Sequence, residues 1–202
     1  MPDQLHTRGS ITMPDVLVIV PPGAEEIETM AVADILVRGG CTVSLAMTDS
    51  LVQRGSRNLP MAGDLLLDEC LSSTADAIFL PGGMPAAEYH SQDERIQDLI
   101  SAQLMAERWL AIICASPLAL LPRGLAANRR LTSYPSLSKR FADQGQWIDA
   151  PVVIDRPLIT SQGPGTAIDL GLHLVAALVS TQVASEVASA LLTTYTPLGS
   201  PS

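Results

Sequence analysis

The chain has 202 residues, of which 47% are hydrophobic, 16% charged and 3% aromatic, and it carries a formal net charge of −9. That length fits one domain with an aliphatic core, and the acidity gives no basic footprint for nucleic acid or an anionic membrane. No apolar run reaches the roughly 18 residues needed to span a bilayer. Three cysteines (Cys41, Cys70 and Cys114) are an odd count that points to free thiols in a reducing cytoplasm.

Residues 1–13 are polar and without periodicity, and read as a flexible extension. Val16–Val20 is a continuous apolar strand, broken by Pro21-Pro22-Gly23. A helix is predicted from about Ala24 to Val37, with Ile27, Ala31, Val32 and Ile35 on one face and Gly39-Gly40 at its end. Cys41–Ala46 is the next strand, which makes a βαβ unit and a parallel sheet. The punctuated stretch 48–68 suggests a hairpin, followed by a short strand at Leu65–Leu67.

Ala75–Leu80 reads as a buried strand stopped by Pro81-Gly82-Gly83. A polar helix is predicted over Ser91–Glu107, then a strand over Leu110–Ile113. Cys114 follows at once, and after Ala115-Ser116-Pro117 comes a helix-like apolar stretch. Short strands are predicted from Leu131 and on either side of the Asp155-Arg156-Pro157 turn. Helices are predicted over 165–179 and Ser185–Tyr195, and the tail 196–202 has a disordered composition. The whole reads as an α/β doubly wound sandwich in a single domain, residues 14–195.

Sheets of this kind carry their sites at the carboxyl ends of the strands. Three segments fall there: Gly23–Glu28, Pro81–Gly83 and Cys114. From the residues alone, Cys114 reads either as a nucleophile on a sharp strand-to-helix elbow or as a small buried hydrophobe. A helix starting at the elbow would favour the thiolate. Glu25 and Glu26 need no role beyond that of acidic residues at a helix start. Glu28, if buried, would have a raised pKa and could exchange a proton with the thiol. The Gly83 and Ala115 N–H groups could receive a developing negative charge. Cys41 and Cys70 read as core thiols, His90 as a loop residue, and His173 as an ordinary helix-face neighbour of Asp169. Met84 and Pro85 fall where a pocket mouth would be. The spacing of Cys and His gives no metal set.

Four stretches carry a resemblance: Gly23–Thr29 (GAEEIET), Leu80–Gly83 (LPGG), Ala111–Ala115 (AIICA) and Thr160–Asp169 (TSQGPGTAID). In order and spacing the sequence resembles the DJ/ThiJ/PfpI superfamily, within it the YajL-like, Parkinsonism-protein-like branch. The resemblance implies a flavodoxin-like sandwich that forms a homodimer and needs no cofactor. It implies Cys114 as the oxidisable nucleophile, Glu28 as its carboxylic partner, and Gly83 and Ala115 as oxyanion amides. It also implies that Arg57 reaches the partner subunit's site near the dimer interface, and that Gly163-Pro164 is a loop beside the pocket. Tyr134 stands where some members carry a histidine, and Ala115 where protease-like members carry one, so a histidine base and a peptidase are not expected. Two activities fit: deglycase or glutathione-independent glyoxalase chemistry on methylglyoxal and glycated amines, or a redox-sensing chaperone for client proteins, with Cys114 oxidised to a sulfenic or sulfinic acid.

Overall fold

The computed structural model describes residues 13–72 and 74–198. The predicted extension and tail therefore lie, apart from Met13 and residues 196–198, outside the described residues. The central sheet has seven strands. In chain order these are β1 (Asp15–Val20), β2 (Thr42–Met47), β5 (Leu65–Leu66), β6 (Ala77–Leu80), β7 (Trp109–Ile113), β10 (Val152–Asp155) and β11 (Leu158–Ser161). Their spatial order is β10-β11-β7-β6-β1-β2-β5. All neighbours are parallel except β10 and β11. A hairpin of β3 (Val52–Arg54) and β4 (Pro60–Ala62) stands off the sheet, as the turn residues of 48–68 predict. A small pair, β8 (Arg130–Leu131) and β9 (Gln146–Trp147), closes the far side.

The strands alternate their side chains between two cores, as the two-residue period requires. Val16, Val18 and Val20 of β1 face helices α1 (Glu26–Arg38), α4 (Ala167–Leu178) and α5 (Thr181–Ala190). Leu17 and Ile19 face α3 (Glu94–Met105) and Phe141 on the other side. Helix α2 (Met84–Gln92) packs against the turn that follows β7. Burying one Leu or Ile contributes about 1.5–3 kcal/mol, so an aromatic-poor chain can reach a normal core through number alone.

Several boundaries differ from the sequence expectation. Helix α1 buries Glu28, Thr29, Val32, Ile35 and Leu36, whereas Ile27 is 58% exposed. The inward stripe is set by the close packing of α1 on α4, with Ile35 against Gly171, which a short apolar count could not anticipate. The predicted polar helix is two helices, because Asp93 ends α2 and caps α3 through its bond from the Arg95 N–H. The last helix starts earlier, at Thr181, where the Ser180 hydroxyl accepts from the Val183 N–H. After Cys114 no α-helix forms. Ser116–Leu120 is a five-residue 3₁₀ turn.

Candidate active site

Strands β7, β6 and β1 stand side by side at the centre of the sheet, and each ends in one piece of the site. At the end of β7, Cys114 adopts φ 63°, a left-handed conformation that costs a non-glycine residue energy. Its own N–H donates to the Ser161 carbonyl at 3.0 Å, and its carbonyl accepts from the Tyr134 N–H at 2.7 Å. Those two bonds fix the peptide groups on either side and hold the elbow.

At the end of β6, two successive peptide units face the site. The Gly82 N–H donates to Glu28 Oε2 at 2.7 Å. The Gly82 carbonyl accepts from the Glu25 N–H at 2.9 Å, so the N–H of the same peptide, that of Gly83, turns towards the Cys114 sulfur. Gly82 has no room for a side chain. A Cβ there would overlap the Cys114 Cβ and lie 2.5 Å from Glu28 Oε2. Gly83 has φ 95°, and a Cβ on it would run into the Gly23 carbonyl.

At the start of α1, the Glu25 carboxylate caps the helix by accepting from the Glu28 N–H at 2.9 Å. Glu28 is fully buried, and its Oε1 has no hydrogen-bond partner. Burial pushes the Glu28 carboxyl up to about 7. The Gly82 N–H and Cys114 act against that rise, and the charge of Glu25 adds to it. Burial, then the charge of Glu28, push the Cys114 thiol up to about 12, against the Gly83 and Ala115 N–H groups. The Glu28 charge raises the thiol because two negative charges resist sharing a dry site, whereas the Cys114 side chain lowers the carboxyl by hydrogen bonding. Burial and the neighbouring carboxyl thus push the thiol upward, where a helix start would push it downward. The 3₁₀ turn is too short to supply a helix dipole, and burial outweighs the two amides.

Cys114, Gly83, Ala115, Arg57 and Pro164 line one cavity of about 590 Å³, and Glu28 lies behind Gly82 beneath its floor. Met84 and Pro85 border the same cavity, as expected of a pocket mouth. Arg57 lines this cavity in its own chain. Its hairpin is held by Glu26, which the sequence reading left as a helix-start residue. The Glu26 carboxylate accepts from the N–H groups of Arg57 at 2.9 Å and Leu59 at 3.2 Å and from the Ser56 hydroxyl at 3.2 Å. Burial raises its pKa, but those donors and its own backbone outweigh it and leave the carboxyl below its ordinary range. Gly55 lets the hairpin come this close, since a Cβ there would strike the Glu26 carboxylate.

Tyr134 and Leu137 form the apolar wall opposite, and the Gly163-Pro164 loop packs on the Tyr134 ring. No sequence signal marked Leu137 or Ser136. They lie within a short 3₁₀ segment, Pro135–Phe141, that carries no periodicity. Cys41 and Cys70 are buried in the two cores, as predicted. His90 is not in a loop. It is on α2, fully buried and bonded to Ser116. His173 does sit one turn from Asp169, and its ring bonds that residue's carbonyl at 2.7 Å. Among the described residues, no group of three or more His, Cys, Asp or Glu side chains could hold a metal ion, and no helix is long and apolar enough to cross a membrane.

A central parallel sheet with a strained cysteine after one strand, a diglycine after the next and a buried glutamate on the first helix defines one class. The chain belongs to the DJ-1/PfpI family, whose profile matches residues 14–177. Among its relatives is Protein dj-1beta of Drosophila melanogaster, 35% identical over 181 residues, 89% of this chain and 97% of the relative. The crystal structure of Drosophila melanogaster DJ-1beta superposes with a TM-score of 0.89 at 34% identity, covering 91% of this chain and 100% of that one. Glutathione-independent glyoxalase DJR-1.2 of Caenorhabditis elegans is 33% identical over 160 residues, 79% of this chain and 86% of the relative. The structure titled Toxoplasma gondii DJ-1, oxidized, superposes with a TM-score of 0.86 at 32% identity, covering 90% of this chain and 100% of that one.

Proposed function

We propose that this chain is a cysteine-dependent stress-response enzyme of the YajL-like branch that converts small reactive carbonyls, as a glutathione-independent glyoxalase or a deglycase. The observation that carries the reading is the coupling of Cys114 to Glu28 on the floor of one cavity, with the Gly83 and Ala115 amides aimed at the sulfur. The glyoxalase among the relatives supports it.

The mechanism follows from those residues. Glu28, as carboxylate, takes the thiol proton, and the sulfur adds to the aldehyde carbon of methylglyoxal. The carbonyl oxygen takes up the negative charge, and the Gly83 and Ala115 N–H groups donate to it. Glu28 returns the thiol proton to the oxyanion, which gives a hemithioacetal. As carboxylate again, it moves the former aldehyde C–H proton to the neighbouring ketone carbon. The hemithioacetal hydroxyl proton passes to the ketone oxygen, so that the ketone becomes an alcohol and the thiol-bearing carbon a carbonyl. The result is a lactoyl thioester on Cys114. Water cleaves it to lactate and free thiol, with no net redox change. A well-placed carboxyl acid–base contributes roughly 10²- to 10⁴-fold. Arg57 offers its guanidinium to an anionic or carbonyl-rich end of the substrate, and Tyr134 and Leu137 to its apolar end. On an aminocarbinol adduct of methylglyoxal, the sulfur would instead displace the amine at the carbinol carbon, the C–N bond breaking as the C–S bond forms and the thiol proton leaving with the amine, to give the same hemithioacetal.

A homodimer belongs to the same proposal. Exposed Ile27, Met30 and Val37 on α1, with Leu51, Val52 and Leu59 at the hairpin, give an apolar face that a second copy would cover. Three free thiols favour a reducing, cytoplasmic setting. The second reading, a redox-sensing chaperone, draws on the oxidised relative from Toxoplasma gondii. Lactate release from methylglyoxal, measured for the wild type beside Cys114→Ala, separates the two. Turnover lost in the variant supports the enzyme, and a wild type without turnover leaves the sensor.

A further inference from the structure

The cavity that Cys114 lines measures about 590 Å³. Cavities of about 300–1,000 Å³ enclose ligands of drug size, so methylglyoxal, with one methyl beside its two carbonyls, leaves most of this space empty. Charge does not decide what fills it. Arg57 and Glu25 both line the cavity, and their opposite signs leave little net pull on an anionic or a cationic substrate. The rest of the lining is mostly apolar, and its aromatic member is Tyr134.

Backbone bonds tie Tyr134 to the nucleophile. Its N–H donates to the Cys114 carbonyl at 2.7 Å, and its own carbonyl accepts from the Leu137 N–H at 2.8 Å. The two residues before it are pinned as well. The Thr132 N–H donates to Thr160 Oγ1 at 2.8 Å, and Ser133 Oγ accepts from Trp147 Nε1 at 3.0 Å. One edge of the ring lies against Gly163, where a Cβ would come within 3.5 Å of Tyr134 Cδ2. Yet the residue is 49% exposed. Stability gains little from that, since an exposed ring forgoes the burial it could have contributed. A binding site gains a preformed platform, because the ordering is complete before the ligand arrives.

We propose that Tyr134 is the specificity-determining residue of this cavity, and that it selects α-oxoaldehydes whose ketone carbon carries an aromatic group over methylglyoxal. The inference rests on the carbonyl-converting reading above. In phenylglyoxal the sulfur adds to the aldehyde carbon as before, and the phenyl ring hangs from the next carbon, where Tyr134 and Leu137 receive it. Offset or edge-on pairing of two rings adds to plain area burial. The steps are those already given. The C–H proton moves to the ketone carbon, the hydroxyl proton to the ketone oxygen, and water cleaves the thioester. Phenylglyoxal and one water give mandelate, with the aldehyde carbon oxidised, the ketone carbon reduced and no outside redox partner.

The test compares kcat/KM, from initial rates, for phenylglyoxal, isobutylglyoxal and methylglyoxal in the wild type, Tyr134→Phe and Tyr134→Ala. Isobutylglyoxal carries a bulky aliphatic group and separates ring pairing from plain volume. A single methylene in an apolar pocket is worth about 10–200-fold, so the wild type should favour phenylglyoxal over methylglyoxal by at least about tenfold, with isobutylglyoxal between them. Tyr134→Phe should keep the preference, and Tyr134→Ala should cut it by about tenfold or more. The intrinsic reactivity of each aldehyde is common to all three proteins, so the change in the ratio reads the wall. A second readout needs no turnover. Mandelate and lactate, which share a hydroxyl and a carboxylate, are titrated as protectants of Cys114 against iodoacetamide. Mandelate should protect the wild type and Tyr134→Phe at about a tenth of the lactate concentration or less, and lose that advantage in Tyr134→Ala. The wild-type comparisons stand whether or not a variant folds. A wild type that converts methylglyoxal or isobutylglyoxal as well as phenylglyoxal overturns the inference and leaves the carbonyl reading in place. Equal protection by mandelate and lactate, or an unchanged ratio in a folded Tyr134→Ala, does the same. Turnover of none of the three aldehydes removes the enzyme reading, and this inference with it.

Discussion

Glu28 and Cys114 meet across Gly82. A Cβ on Gly82 would overlap the Cys114 Cβ and lie 2.5 Å from Glu28 Oε2 and 3.0 Å from the Ile113 carbonyl. The acid and the thiol are close because the residue between them is a hydrogen atom wide on that side. Gly82→Ala must then push one of them away. It should cost about 1–3 kcal/mol of stability, as forced overpacking does, and should lose carbonyl turnover outright. A variant that keeps wild-type turnover would show that the pair need not be this close.

Glu28→Gln separates the proton from the shape. The amide oxygen can still accept from Gly82, but the side chain cannot carry a proton. Turnover of methylglyoxal should fall roughly 10²- to 10⁴-fold, while Cys114 alkylation persists. Stability at pH 7 should rise. The native carboxyl sits at about 7 against an ordinary 4.5, a burden of about 3 kcal/mol on the folded state once ionised. Denaturant unfolding reads this, and an unchanged or lower stability would contradict the burial of an ionising group.

Glu28 and His90 predict a pH dependence of stability that cancels. Glu28 has a raised folded value, so its favourable contribution is complete below 4.5 and is lost as pH rises through about 7. His90 is pushed by burial from 6.5 down to about 4, with the Ile19 carbonyl and Asp93 acting against the shift. Its contribution is complete above 6.5 and is lost as pH falls through about 4. Between pH 4.5 and 6.5 the two slopes oppose each other at similar size. Glu28→Gln should therefore expose a stability that climbs by about 2–3 kcal/mol across this window, and His90→Asn one that falls. Parallel curves in all three proteins would refute the assignment.

Glu26→Ala tests the hold on the hairpin that carries Arg57. It removes the acceptor for two backbone N–H groups and the Ser56 hydroxyl. Residues 52–62 should exchange their amide hydrogens faster, and KM should rise more than kcat falls, because Arg57 loses its place without the reacting atoms moving. The expected loss in stability is about 1–3 kcal/mol. Equal exchange in variant and wild type would leave the hairpin held by other contacts.

The proposed dimer is the simplest to check. Light scattering at micromolar concentration should return twice the 21.3 kDa of one chain. Ile27→Asp on the exposed face of α1 should halve that mass without unfolding the protein.

Much of this was legible in the residues because apolar runs, glycines and prolines act locally. β1, β6 and β7 announce themselves as apolar runs, and Gly23, Gly82-Gly83 and Cys114 fall at their ends, where an α/β sheet keeps its site. The losses all concern long-range contact. Glu26 looked like any acidic residue in a first helical turn until the hairpin, about thirty residues away, folded onto it. His90 and Ser116 are twenty-six residues apart, and nothing in either neighbourhood announces the other. The burial that pushes the Cys114 thiol upward is hidden for the same reason, since a strand-turn pattern does not measure it. Ile27 was assigned inward by spacing and points outward, because α4, far along the chain, decides which face of α1 is covered.

The site hangs from three strands that have neighbours on both sides, whereas β5 and β10 are the rims of the sheet. Thermal motion frays a sheet from its rims, and the innermost strands release their amide hydrogens only when the whole molecule comes apart. The protein should consequently keep its reactive thiol assembled up to the brink of denaturation, with loss of Cys114 reactivity and global melting falling at the same temperature. A cell that is overheated or oxidised would still have this site at hand until the last copies collapse.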